Sequence, residues 1–223
     1  MNERPVLLLA SNSPRRRQLL ALGNWMFNIS VSDVDETQLP HEAPGDYVLR
    51  LAKAKALTVA EKAHPENVII GADTAVVDQG IILGKPADMA EAERMLKQLR
   101  GHTHQVYTGL AVYRVQDEKL FTELCITDVP MRSYSDEEIS AYVLGGDPLD
   151  KAGAYAIQHP GFQPVESMHG CYASVMGLPM CHVVRMLRKL DISPRGDVPT
   201  SCQNFLEYRC PVSHAILRGE AVG

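Results

Sequence analysis

The residues in this chain whose types and spacing could do chemistry fall into a few short stretches. The first is Ser13-Pro14-Arg15-Arg16-Arg17, directly after the apolar run Val6–Ala10. Ser13 is a good N-cap and Pro14 suits a first helical position, so the arginines fall in a first helical turn. That is the positive end of the helix dipole, where each cation is unfavourable by roughly 0.3–1 kcal/mol. Free amides and guanidinium forks at such a helix start make a phosphate site, and a bound anion would offset the cost. A solvated basic patch is the alternative.

Asp73 is the one charged residue in Val68–Val77. Burying a carboxylate is costly without a metal, a cation or several hydrogen bonds. Asp73 is therefore a candidate metal ligand or general base, against the alternative of a strand-end aspartate bonded to backbone amides. Gly84-Lys85-Pro86 is not a phosphate-binding P-loop: the spacing is one residue short, and Pro86 stands where Ser or Thr is needed. Lys85, held extended by the following proline, could reach a phosphate as a point charge or be a surface lysine. Lys53 lies between Leu49 and Leu57, and Lys55 between Leu51 and Val59. Both interrupt apolar stripes of one helix, and spacing does not choose between them. Asp33, Asp35 and Glu36 could hold magnesium or manganese, or form an acidic loop. In Asp150–Gln158, small residues would let backbone approach a ligand, and Tyr155 and Gln158 could stack on and bond a base. The same stretch also reads as a loop entering a strand. Cys202, Cys210 and His214 have only a loosely metal-like spacing, with no C-x-x-C pair.

The elements that must position these groups follow from hydrophobic periodicity. Strands are predicted over 5–10, 27–32, 67–77, 80–84, 104–115, 119–131 and 163–167, with a further short one at 172–176. Helices are predicted over 14–22, 45–63, 88–99, 136–144 and 178–190. Asp88 caps the third helix, and Ser135 with Glu138 forms a capping box on the fourth. Asp78-Gln79-Gly80 and Gln116-Asp117-Glu118 read as hairpin turns. Strand–helix alternation together with long hairpins implies an α/β fold with a mixed sheet. Residues 1–192 read as one domain, Ser193–Pro199 as a linker, and the rest of 193–223 as a short tail.

Composition narrows the partners. A formal net charge of -5 argues against coating nucleic acid, and an aromatic content of 6% leaves few stacking platforms for single strands. The apolar runs are too short to span a bilayer, and no signal peptide opens the chain. Five scattered cysteines fit reduced thiols in a cytoplasmic compartment.

Taken in order, Ala10-Ser11-Asn12-Ser13-Pro14-Arg15-Arg16, Asp35-Glu36, Leu51–Ala56, Gly71-Ala72-Asp73-Thr74, Gly84-Lys85-Pro86, Asp150–Gln158 and Gly177-Leu178-Pro179 resemble the Maf family of nucleoside triphosphate pyrophosphatases. The resemblance covers about residues 5–190. It implies two lobes around a cleft, with a mixed, largely antiparallel twisted sheet flanked by helices, in a homodimer. It implies hydrolysis of a nucleoside triphosphate to monophosphate and pyrophosphate with a divalent cation, magnesium or manganese. Asp73 would be the general base and would hold the metal with Glu36. Arg15, Arg16, Lys55 and Lys85 would surround the phosphates, so the motif selects Lys55 over Lys53. Ser11 and Ser13 join the implied substrate-binding set, and specificity falls on Arg15, Thr74 and Gln158. Thr74 with the Ala-Gly-Ala-Tyr-Ala-Ile-Gln run is similar to the branch acting on dTTP and UTP rather than on 7-methyl-GTP. The chain departs from the family pattern at His159–Phe162 and at Cys171. A nucleotide-binding regulator of cell division without turnover is the rival reading. The intact Asp73, Glu36 and Lys85 favour an enzyme.

Overall fold

A computed structural model describes residues 7–223. Its strands are β1 (Leu7–Leu9), β2 (Phe27–Ile29), β3 (Val68–Asp78), β4 (Ile81–Leu83), β5 (Thr103–Arg114) and β6 (Lys119–Pro130). Its helices are α1 (Pro14–Ala21), α2 (Pro44–Ala60), α3 (Met89–Leu99), α4 (Asp136–Leu144), α5 (Tyr172–Val175), α6 (Met180–Arg188), α7 (Val198–Leu206) and α8 (Ser213–Leu217). The sheet runs β2-β1-β3-β5-β6, with β4 folded back on β3. The two pairings made by β1 are parallel and the other three are antiparallel. This is the mixed, largely antiparallel α/β fold that the sequence implies.

Local chemistry accounts for most of the boundaries. Ser13 caps α1 by accepting from the Arg16 amide at 3.4 Å. Ser135 and Glu138 form the expected capping box on α4. The β3–β4 hairpin turns through Gln79 and Gly80, both at positive φ, as a two-residue turn of this hand requires.

Four expectations shift. Only Val165 of the predicted strand 163–167 pairs, in a single bridge to Met131. Pro164 lacks the amide that a ladder needs. Residues 172–176 hold the helical turn α5, closed by the Ser174 and Val175 amides on the Cys171 carbonyl. Helix α2 stops at Ala60 rather than running to 63. Positions 5 and 6 of the first predicted strand lie outside the described residues. The segment beyond 193 carries α7 and α8, and Val198, Cys202 and Ile216 there are buried. Asp197 caps α7 by accepting from the Thr200 amide and hydroxyl.

The core has two centres. On one face of the sheet, Leu7, Leu9, Val68, Ile70, Leu110 and Val112 pack against α1 and α6. Towards the far ends of β3, β5 and β6, Val76, Val106, Val129 and Met131 pack against α3 and α4. The opposite face of the sheet receives α2 through Ala52, Ala56 and Val59 on Ile69 and Ala111. That helix comes down onto backbone. A Cβ at Gly71 would fall on the Ala52 carbonyl oxygen, and one at Gly109 would sit 2.5 Å from the Val48 carbonyl. Glycine is required at both positions for α2 to lie so close.

Candidate active site

A cleft of about 760 Å³ opens where these elements meet. That is within the usual size of a small-molecule site. The start of α1, the β3 segment around Asp73, Lys55 of α2, the Gly84-Lys85 loop and the 150–158 segment all line it.

Arg15 and Arg16 line the cleft, while Arg17 points to solvent and is not part of its wall. Arg16 donates from Nε to the Gly177 carbonyl (2.9 Å), from Nη1 to Ser11 Oγ (3.3 Å) and from Nη2 to Thr74 Oγ1 (3.2 Å). All three acceptors are neutral. The guanidinium is fixed in direction while its charge stays available to an anion, which suits it to phosphate. Arg15 makes no hydrogen bond or ion pair among the described residues. Ser13 is on the cleft wall, whereas Ser11 lies buried behind it. Ser11 Oγ accepts from the Ser13 amide at 3.2 Å as well as from Arg16, so it braces the arginine from behind.

Asp73 and Lys55 face each other across the α2–β3 contact, Nζ to Oδ1 at 2.7 Å. The same ammonium reaches Glu36 Oε1 at 2.6 Å. Lys53 is exposed, so of the two helix lysines the structure brings Lys55 to the site. Tyr47 holds the Glu36 loop by donating to its backbone carbonyl at 3.0 Å. Burial raises the Asp73 pKa above the ordinary aspartate value, and Lys55 offsets only part of that rise. Burial pushes Glu36 the same way, but there the Lys55 hydrogen bond and charge prevail and its pKa is lowered. The result is one easily ionised carboxylate beside one that binds a proton more readily, a usual arrangement for acid–base work.

Each carboxylate commits one oxygen to Lys55 and makes no other side-chain hydrogen bond among the described residues. Two such oxygens at a cleft suit a hard divalent cation that takes its remaining ligands from substrate phosphates and water. Asp33 and Asp35 are not on the cleft wall, and Asp35 is turned to the Thr37 amide at 2.9 Å. In the tail, Cys202, Cys210 and His214 do not assemble a metal site. Among the described residues, no three His, Cys, Asp or Glu side chains do.

Lys85 is on the cleft wall and makes no hydrogen bond or ion pair among the described residues. Its loop is tied to the 150–158 segment by the Gly153 amide, which donates to the Gly84 carbonyl at 3.0 Å. That segment is a compact turn rather than the entry to a strand, kinked at Gly153 and Ala154, both at positive φ. Tyr142 receives the Ala156 amide on its hydroxyl oxygen at 3.0 Å, and Tyr155 pairs its hydroxyl with His104 Nε2 at 2.9 Å. Gln158 is exposed on the cleft wall, with its amide uncommitted among the described residues. The two departures from the family pattern lie elsewhere: Cys171 is buried off the cleft, and the His159 ring packs edge-on against Tyr142.

Of the residues on the cleft wall, Tyr47 lay outside every motif, while Lys151 and Gly177 stood inside two of them without a role of their own. Lys151 was visible as a charged neighbour of Asp150. The part Gly177 plays is that of its carbonyl, which residue type does not reveal.

The chain is also similar to known proteins. A family profile described as Maf-like protein matches residues 6–190. A Geobacter sulfurreducens protein named dTTP/UTP pyrophosphatase is 46% identical over 84% of this chain and 98% of its own length. A Bacillus cytotoxicus protein of the same name is 46% identical over 82% of this chain and 95% of its own. Among solved structures, the Staphylococcus aureus Ham1 protein aligns over 91% of this chain and 98% of its own, with 16% identity and a TM-score of 0.40.

Proposed function

The chain belongs to the Maf family, and from that premise we propose that it hydrolyses nucleoside triphosphates, dTTP and UTP foremost, to the monophosphate and pyrophosphate. The observation that carries the reading is Asp73: a buried carboxylate of raised pKa, held by Lys55 at one edge of a cleft whose other walls carry Arg15, Arg16 and Lys85. A triphosphate brings about four negative charges, which need such a set of cations.

In this reading Arg15, Arg16 and Lys85 bind the phosphate chain and orient it. Asp73 takes the proton of the water that attacks the α-phosphorus. The bond from the α-phosphorus to the bridging oxygen breaks, and pyrophosphate leaves with that oxygen. Lys55 holds Asp73 and Glu36 in place and favours their ionised forms. Magnesium or manganese, held by Glu36 and Asp73, would neutralise phosphate charge. Gln158 presents both a donor and an acceptor, which match the carbonyl and N–H edge of uracil or thymine and mismatch cytosine. The protein acts in this reading as a cytoplasmic homodimer. No described helix is long and apolar enough to cross a membrane.

The test is a panel of nucleoside triphosphates with pyrophosphate and orthophosphate detected separately. The reading expects pyrophosphate from UTP and dTTP, dependent on divalent metal and faster than from ATP, GTP or CTP. Orthophosphate released from the γ-position would sink it. Tight binding without turnover would return the protein to the regulator class.

A further inference from the structure

Thr108 is fully buried on β5, and it lies off the cleft wall. On its face of the strand it stands between Val106 and Leu110, with Val112 beyond, so its hydroxyl is set among apolar neighbours. A hydroxyl buried in such surroundings is costly unless it is hydrogen-bonded.

Thr108 Oγ1 lies 2.9 Å from Thr74 Oγ1, its register partner on β3, and donates to the Ser174 carbonyl at 2.9 Å. A hydroxyl has one proton to give. Thr108 commits its proton to Ser174, so Thr74 must be the donor in the Thr74–Thr108 bond. The lone pairs of Thr74 are then left to face Arg16 Nη2. The Ser174 carbonyl also accepts the Gly177 amide at 2.8 Å, and the Gly177 carbonyl accepts Arg16 Nε. The bonds close a ring: Arg16 to Thr74, Thr74 to Thr108, Thr108 to Ser174, and back through Gly177 to Arg16. Every proton in it has one direction.

We propose that Thr108 is a positioning residue for phosphate recognition: it holds the Thr74 proton, keeps the acceptor side of Thr74 towards Arg16, and so sets the direction of the guanidinium. The proposal rests on the pyrophosphatase reading for what Arg16 binds. The ring itself does not depend on that reading. Pre-ordering a long side chain in this way removes an ordering cost at binding.

The experiment is a double-mutant cycle between Thr108→Val and Arg16→Ala, with Thr108→Ser as the conservative variant. Valine keeps the shape and the strand preference but removes the hydroxyl, both the acceptor for Thr74 and the donor to Ser174. UTP turnover and the binding of inorganic tripolyphosphate, measured by calorimetry without metal, are both read. Thr108→Val is expected to lower kcat/KM for UTP by about tenfold or more and to weaken tripolyphosphate binding, because a small misorientation at such a site is amplified. Thr108→Ser should restore both, and in the Arg16→Ala background Thr108→Val should change neither. Near-wild-type values in Thr108→Val, or an equal loss when Arg16 is already absent, would overturn the proposal. If Thr108→Val is not recovered folded, Thr108→Cys, a weak donor and a weak acceptor, takes its place under the same expectations. Should the wild type fail to hydrolyse UTP, the functional reading falls, and the tripolyphosphate arm still decides the role of Thr108.

Discussion

Strand β3 carries two aspartates five residues apart, one at mid-strand and one at its last residue, and the protein treats them in opposite ways. Asp78 receives Gln98 Nε2 at 2.7 Å and His102 Nε2 at 2.8 Å, one on each carboxylate oxygen. Burial works against its charge, but these partners prevail and its pKa is lowered. Asp73 is given Lys55 on one oxygen, and burial prevails, so its pKa is raised. Both side chains are well buried and lie in the same element. What separates them is how deeply the carboxyl is surrounded by protein and how completely its charge is satisfied. A fully bonded carboxylate holds the fold together, and an under-bonded one at a cleft is kept for a ligand or a proton.

The same substitution at the two positions should therefore give opposite results. Asp73→Asn should lower turnover by about 10²–10⁴-fold, the usual worth of a general base. Its melting temperature should equal or exceed the wild type's. Asp73's raised folded pKa means that its neutral form is favoured in the fold, so its contribution is present at low pH and lost as pH rises; an amide loses nothing at neutral pH. A mutant with more than about a tenth of the wild-type rate, or one that melts well below it, would erase the contrast.

The cations beside Asp73 come next. Arg15→Ala and Lys85→Ala should each raise KM and lower kcat for UTP, together costing about tenfold or more in kcat/KM, as expected for charge-assisted contacts. Steady-state kinetics on both variants check this, and unchanged values in both would make these residues ordinary surface. A finer effect belongs to Gln158. The UTP-to-CTP ratio of kcat/KM should exceed about ten in the wild type and fall in Gln158→Ala, since an unpaired polar group in the complex costs roughly 1–3 kcal/mol. A ratio near one in the wild type would place base selection elsewhere.

The smallest effect on turnover is expected at Asp78, the last residue of the strand. Asp78→Asn should leave kcat/KM within about twofold and lower stability by about 1–3 kcal/mol, because one of its two donors loses its acceptor. Asp78's lowered folded pKa means that its contribution is present above the ordinary carboxylate value and lost as pH falls through the folded one. The melting deficit of Asp78→Asn relative to wild type should thus shrink as the pH is taken below about 4. A deficit that stays constant with pH would show that packing, not charge, is what Asp78 supplies.

Much of this was legible in the residues themselves. Asp73 stood out because a charge in an apolar run needs a reason, and Ser13-Pro14 announced the helix that presents Arg15 and Arg16. Asp78 read only as a turn residue, since its partners lie 20 and 24 positions away and meet it by tertiary packing alone. Thr108 gave no signal, because its neighbour Thr74 is brought to it by the β3–β5 register. The strand predicted at 163–167 failed on Pro164. The tail beyond 193 hid its helices because Pro194, Gly196, Pro199, Pro211 and Gly219 cut its apolar residues into runs too short to show a helical period. Periodicity could not choose between Lys53 and Lys55 because both break the same kind of stripe. The choice is made by which of them α2 turns towards β3.

That helix rests on the sheet backbone to backbone, at Gly71 and at Gly109. No side chain lies between the two surfaces at these points to be compressed, trimmed or repacked. The spacing between the Lys55 ammonium and the Asp73 carboxylate is accordingly gauged by peptide units in contact, as a machine part is located by a hard stop rather than by a spring. Drift elsewhere in the core can carry α2 and β3 along together, but it has no soft layer through which to move one against the other. The site's most exacting distance is insulated from the part of the protein freest to vary, and it changes only by a discrete step, when a methyl group is placed at one of two glycines.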